Sequence, residues 1–225
     1  MLAVETELRR RLTAESVGTA FLLLAVVGSG IMAQQLSTDV GLQLLENSIA
    51  TAGALFALIA VWGPASGAHF NPAVTLWARL SGDLTTRVAL FYVVAQVVGG
   101  ITGVIAANVI FDLDAISWST TDRDTIPKLI SEVIATFGLL MVIVGLVRNG
   151  GERFVAAAVA AYIGGAYWFT SSTSFANPAV TVSRMFSDTF AGIEPSGAPL
   201  FIVAQIIGAL CAVAVMNFVY PKDGA

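Results

Sequence analysis

Two short motifs carry the polar chemistry of this sequence. Asn71-Pro72-Ala73 and Asn177-Pro178-Ala179 each continue as Asn-Pro-Ala-Val-Thr, inside long stretches free of Asp, Glu, Lys and Arg. Pro at a first helical position brings a preset φ and no wasted N–H, and Asn just before it is a favoured N-cap. Each motif therefore predicts a short helix that starts at Pro72 or Pro178 and is capped by Asn71 or Asn177. A helix N-terminus carries roughly half a positive elementary charge, and an Asn amide offers N–H donors. Two such ends meeting would repel cations and hydronium while donating to a neutral oxygen. The extended segments before them, Gly67-Ala68-His69 and Thr173-Ser174-Phe175, can turn backbone carbonyls into the same space as acceptors.

Other reactive groups are sparse. His69 and Cys211 are the single His and the single Cys, so an intrachain disulfide and a Cys-based metal site are excluded. No acidic cluster has metal-ligand spacing, no Gly-rich segment follows a strand, and neither a metal nor a cofactor is expected. Cys211, in an apolar run, reads as a small packing residue. Glu15 and Glu132 are acids inside apolar segments, where ionisable groups are costly and usually have a task. Their matching placement favours carboxylates that accept hydrogen bonds from re-entrant backbone over a proton relay. An acid–base enzyme is a poor fit, because the two acids are far apart and mirror-placed.

The elements that must position these groups follow from composition. The chain has 225 residues, 56% hydrophobic and only 12% charged, against about 25% charged for a soluble domain. Such a chain belongs in a lipid bilayer. Its apolar runs are continuous rather than alternating, which indicates helices and not a β-barrel. A net charge of −4 offers nothing to nucleic acid. The first apolar run is too long for a cleaved signal.

The charge-free runs are 16–38, 47–78, 88–111, 133–147, 154–183 and 195–221. A span needs about 20 apolar residues, and four of the runs suit one span each, 133–147 once it is extended back to Pro127 by taking in Glu132. Runs 47–78 and 154–183 are too long for one span and too short for two. Each holds Gly, Pro, Ser and Asn in its second half. Each therefore reads as a full helix, a loop that re-enters the membrane, and a half-helix, a backbone tolerated only where protein buries it or a wet cavity borders it. The expected fold is an all-α membrane protein with six transmembrane helices plus two re-entrant half-helices. It forms one channel domain over residues 1–225.

Six spans put both termini on one side. That side holds Arg9, Arg10, Arg11, Arg79, Arg87, Arg148, Arg153 and Lys222, against Arg123, Lys128 and Arg184 opposite. The excess places both termini in the cytoplasm, with the chain in the cell's inner membrane. Asp112, Asp114, Asp122 and Asp124 then form an acidic outer loop, read as a solvated surface.

The halves repeat. Ala14-Glu15-Ser16-Val17-Gly18-Thr19 is echoed by Ser131-Glu132-Val133-Ile134-Ala135-Thr136, and Ala95-Gln96-Val97-Val98-Gly99 by Ala204-Gln205-Ile206-Ile207-Gly208. Three spans per half invert residues 127–220 relative to 12–110, and sites in such repeats lie near the midplane. Gln96 and Gln205 read as interhelical glue, and the Gly and Ala around 99–107 and 208–212 as close helix crossings.

Ser66-Gly67-Ala68-His69-Phe70-Asn71-Pro72-Ala73-Val74-Thr75, the second Asn-Pro-Ala, the two Ala-Gln-x-x-Gly elements and the paired Glu residues resemble the major intrinsic protein family of aquaporins and aquaglyceroporins. The resemblance covers nearly the whole chain. It implies a homotetramer with one pore per subunit, passing water and small neutral solutes. Glu15 and Glu132 would brace the loops, and the carbonyls of 67–69 and 173–175 would line the pore.

The family carries Arg directly after the second Asn-Pro-Ala, and here that position is Val180. Carried over by spacing, the other filter positions become Thr51, Gly165 and Ser174. The implied filter is small, uncharged and wide, similar to bacterial aquaglyceroporins linked to arsenic resistance. It would suit glycerol-like polyols and arsenous acid. Arg184, one turn beyond Val180, reads either as a displaced positive group in the vestibule or as a snorkelling residue that braces a loop. An ion-coupled secondary transporter is the alternative, since it too would show inverted repeats and broken helices. A channel that has lost transport is a weaker one, given two intact motifs.

Overall fold

The computed structural model describes residues 2–221. Lys222, counted above in the charge asymmetry, lies outside the described residues. The described chain is helical throughout, with no strand. Its helices are α1 (Leu2–Leu36), α2 (Val40–Ser66), α3 (Pro72–Leu80), α4 (Thr86–Ile110), α5 (Ile126–Arg148), α6 (Val155–Phe169), α7 (Pro178–Ser183) and α8 (Ala198–Val219).

Local sequence explains most of the boundaries. Asp39 caps α2 by accepting the Leu42 N–H at 3.1 Å, and Thr85 caps α4 by accepting that of Val88 at 3.3 Å. Gly67, at φ 89°, ends α2 in the left-handed region, which Gly enters without a Cβ penalty. Pro opens α3 and α7. Five helices, α1, α2, α4, α5 and α8, are long and apolar enough to cross a membrane. The sixth, α6, has 15 residues and is extended backwards by a 3-10 turn at Glu152–Phe154. That is shorter than the full span read from the sequence, because the helix stops at Phe169, where Thr170 turns to extended backbone and begins the segment leading to Asn177.

The two halves mirror one another. α1 packs on α2 and α4, α5 on α6 and α8, and α2 on α6 across the halves. The α1–α4 crossing is close because a Cβ at Gly99 or Gly103 would overlap the carbonyl of Ser16 or Ala20. At the α5–α8 crossing, Gly208 sits against the Val133 carbonyl in the same way. Bilayers provide little hydrophobic drive between helices, so small residues that let backbones touch are what hold such pairs. A belt of exposed apolar side chains, among them Phe21, Ile49, Val94, Val203 and Phe218, faces outward. Cys211 belongs to that exposed face rather than to the packed interior.

The acidic loop between α4 and α5 is only partly a solvated surface. Asp112, Asp114, Asp122 and Asp124 are exposed, but Arg123 among them is buried. The loop lies against the chain after α7, through Ser119 N–H to the Met185 carbonyl at 2.9 Å and Glu194 N–H to the Thr121 carbonyl at 2.8 Å. Arg123 donates to the carbonyls of Gly192, Ser172 and Phe190 at 2.8, 3.1 and 3.1 Å. Burial pulls its guanidinium down to about 10, which leaves it charged at neutral pH.

Candidate functional site

The two Asn residues meet in the centre and cross-link the half-helices. Asn71 Oδ1 accepts the Ala73 N–H at 2.8 Å, and Asn177 Oδ1 accepts those of Ala179 at 2.9 Å and Val180 at 3.3 Å. Their amides are exchanged: Asn71 Nδ2 donates to the Ala176 carbonyl and Asn177 Nδ2 to the Phe70 carbonyl, both at 2.8 Å. An amide NH2 has two hydrogens, so each Asn keeps one donor beyond this lock. Asn71→Ala and Asn177→Ala should each lower stability by about 2 kcal/mol, from a lost cap and an orphaned carbonyl. Because both locks hold one interface, thermal unfolding of the double variant in detergent should show coupling above roughly 0.5 kcal/mol.

Each re-entrant segment reaches the centre in the same unusual backbone. Gly67, Ala68 and Phe70 have positive φ, and so do their counterparts Thr173, Ser174 and Ala176. Non-Gly residues in that region cost about 1–3 kcal/mol each and persist only when their surroundings hold them. Two carboxylates do the holding. Glu15 Oε1 accepts from the His69 N–H (2.9 Å) and Ser66 Oγ (2.6 Å). Its Oε2 accepts from the Phe70 N–H and Gln96 Nε2, both at 2.8 Å. Glu132 accepts from the Phe175 and Ala176 N–H groups, both at 2.9 Å, and from Gln205 Nε2 at 2.6 Å. Gln96 and Gln205 also donate to Thr75 and Thr181, at 3.0 and 2.9 Å. The final Thr of each Asn-Pro-Ala-Val-Thr is thus wired to the Ala-Gln-x-x-Gly element and the Glu of its own half.

A cavity of about 750 Å³ runs past these ends between the halves. Its middle is lined by Asn71, Asn177, Ala68, Phe70, Val74 and Ile143. Glu152, Arg153 and Arg184 are the charged side chains in its lining. Gly67, Ala68, His69, Ser174 and Phe175 line it, whereas Thr173 does not. The His69 ring stacks edge-on against Tyr92, with Nδ1 3.0 Å from Thr75 Oγ1.

Of the four filter positions carried over by spacing, Thr51, Ser174 and Val180 line the cavity and Gly165 does not. Gly165 is exposed, on the outer side of α6. The inward side of α6 carries Val159, Ile163 and Tyr167, at intervals of four. Residues two apart on a helix point about 200° apart, so an offset counted back from Asn177 across a loop missed the face. Tyr167 takes the place instead, its hydroxyl 3.0 Å from Thr51 Oγ1. An aromatic recurring at i+4 on an otherwise aliphatic inner stripe was the signal available in the sequence.

Arg184 is only 2% exposed, so it does not snorkel to the surface. It lines the cavity, its Nε donates to the Ala191 carbonyl, and its guanidinium lies 3.5 Å above the centre of the Phe175 ring. Arg123 was not identified from the sequence at all, since nothing in an acidic loop marks one cation as buried.

A membrane-embedded helical bundle with a central cavity, closed on itself by two capped half-helices, is a transmembrane channel. The family model described as Major intrinsic protein matches residues 3–169 and 147–225, and the chain belongs to that family. It is a channel and not an enzyme. The chain is 48% identical over 214 residues to aquaglyceroporin AqpS of Rhizobium meliloti (strain 1021), covering 95% of this chain and 91% of that one. It is 25% identical to the probable aquaporin TIP2-2 of Oryza sativa subsp. japonica, over 92% and 86% of the two chains. The crystal structure of the aquaglyceroporin from Plasmodium falciparum has the same fold, with a TM-score of 0.75, 21% identity and 96% of each chain covered.

Proposed function

We propose that the protein is a passive channel for small uncharged solutes: water, glycerol-like polyols and neutral metalloid acids such as arsenous acid. The observation that carries this reading is the cavity, whose mostly uncharged lining includes both Asn caps. Such a path accepts neutral oxygen-bearing molecules and disfavours ions. Val180, Thr51 and Ser174 put small uncharged side chains into the cavity lining, which favours solutes wider than water. Arsenous acid is a neutral triol of roughly glycerol's shape, and the relative from Rhizobium meliloti is named an aquaglyceroporin.

The rival reading, an ion-coupled transporter, needs a free intramembrane charge to bind the coupling ion. Glu15 and Glu132 are the embedded acids in question, and each is already occupied by donors from its own loop. We assign them to bracing those loops. The excess of Arg on the side of the chain ends supports cytoplasmic termini in an inner-membrane protein, and membership of the family supports a homotetramer.

The test is stopped-flow light scattering on proteoliposomes with water, glycerol and arsenite. Flux above protein-free vesicles, non-saturating and indifferent to sodium and proton gradients, is the expected result. No excess flux of any of the three would end the channel reading. Val180→Arg should cut glycerol permeation roughly tenfold, about 1.4 kcal/mol of barrier, and water permeation by less. Equal loss of both would show that Val180 does not set the width.

A further inference from the structure

We infer that Arg184, seated beside Arg123, sets the charge selectivity of the outer constriction, replacing from one turn further along the chain a charge that is missing at Val180. This rests on the channel reading above and assigns its ion barrier to a particular side chain. The backbone N–H of Arg184 bonds to the Val180 carbonyl, so the two residues stand one helical turn apart. Long helical side chains lean back over the preceding turn. The Arg184 guanidinium accordingly reaches the cavity alongside Val180, Ser174, Phe175 and Tyr167 rather than the surface beyond them.

Its surroundings hold it without neutralising it. The Phe175 ring lies beneath it at 3.5 Å and is itself fixed edge-on against Phe201 at 5.3 Å. Ala191 takes the Nε hydrogen through its carbonyl. Arg123 places a second guanidinium 5.0 Å from the same Phe175 centroid. Among the described residues the hydrogen bonds of the two arginines go to backbone carbonyls and none to a carboxylate, and the single Glu132 carboxylate, whose charge acts on both, offsets only part of their two charges. Two buried positive groups so placed raise a repulsive potential for any cation at that end, in surroundings where water screens charge poorly. Neutral solutes feel no such barrier, and their oxygens can accept from a guanidinium.

The experiment measures potassium leak and glycerol uptake in the same proteoliposome preparations for wild type, Arg184→Leu, Arg184→Gln and Arg184→Lys. Gln can still donate to the Ala191 carbonyl, so it separates loss of charge from loss of the loop anchor. The expected result is about a tenfold rise in potassium leak for the Leu and Gln variants, the size of a 1.4 kcal/mol barrier. The ratio of potassium leak to glycerol uptake should rise in both neutral variants, and the Lys variant should keep the wild-type ratio. Leak unchanged in both neutral variants, with glycerol flux intact, overturns the inference and leaves the channel reading standing. Absent glycerol and water flux in the wild type would instead defeat the channel reading itself.

Discussion

Glu15→Ala should leave no folded channel to assay. Four groups lose an acceptor at once: the Ser66 hydroxyl, the N–H groups of His69 and Phe70, and the Gln96 amide, which keeps only its bond to Thr75. Glu15 and Gln96 are fully buried, so little water can replace the carboxylate without reorganisation. A buried donor left unmade costs about 1–3 kcal/mol. The segment it holds also contains Ala68 and Phe70 at φ 48°, a conformation that needs support from its surroundings. The combined loss is roughly 4 kcal/mol or more, a large part of the ~5–15 kcal/mol that holds an ordinary domain. Glu132→Ala removes an acceptor from three donors rather than four, of which Gln205 keeps its bond to Thr181, and should be severe but milder. Glu15→Gln keeps one carbonyl oxygen but turns an NH2 toward N–H donors, and should fall between wild type and Ala. Monodispersity and thermal unfolding in detergent would check this order. A Glu15→Ala protein with the wild-type midpoint and flux would mean that the loops are held by something else.

Gly99→Ala is expected to be nearly as damaging, although it adds one methyl group. The new Cβ would overlap the Ser16 carbonyl, with the Ser16 Cα only 2.9 Å away. Backbone cannot swing aside as a flexible side chain does, so α1 and α4 must separate. That movement would carry Gly18, which is pressed against the Phe70 ring, and so would reach the re-entrant loop. Overpacking typically costs about 1–3 kcal/mol, and an interface of two helix backbones belongs at or above the top of that range. Gly208→Ala should behave alike at the Val133 carbonyl. Gly53→Ala is the control: its Cβ would meet nothing within 4 Å, and the change should stay within about 1 kcal/mol. Equal midpoints for Gly99→Ala and Gly53→Ala in detergent would contradict the close crossing.

What the sequence determined by itself was whatever depends on chain length and near neighbours. Apolar runs of span length mark helices because a bilayer leaves backbone no other partner. Asn before Pro marks where α3 and α7 begin, because cap and preset φ act within three residues. The duplicated Glu, Asn-Pro-Ala-Val-Thr and Ala-Gln-x-x-Gly segments revealed the inverted halves, since a repeat survives any change in loop length. The tertiary structure alone decided which faces meet and where long side chains end. That Asn71 and Asn177 exchange amides with the carbonyls of Ala176 and Phe70 depends on two segments more than a hundred residues apart. Gly165 gave way to Tyr167 because the rotation of α6 is set by packing against α2 and α5, not by counting residues back from Asn177. Arg184 reached the cavity, and Arg123 the interior of an acidic loop, because a guanidinium can lie several ångströms from its Cα. Its resting place is chosen by carbonyls and an aromatic ring contributed by distant parts of the chain.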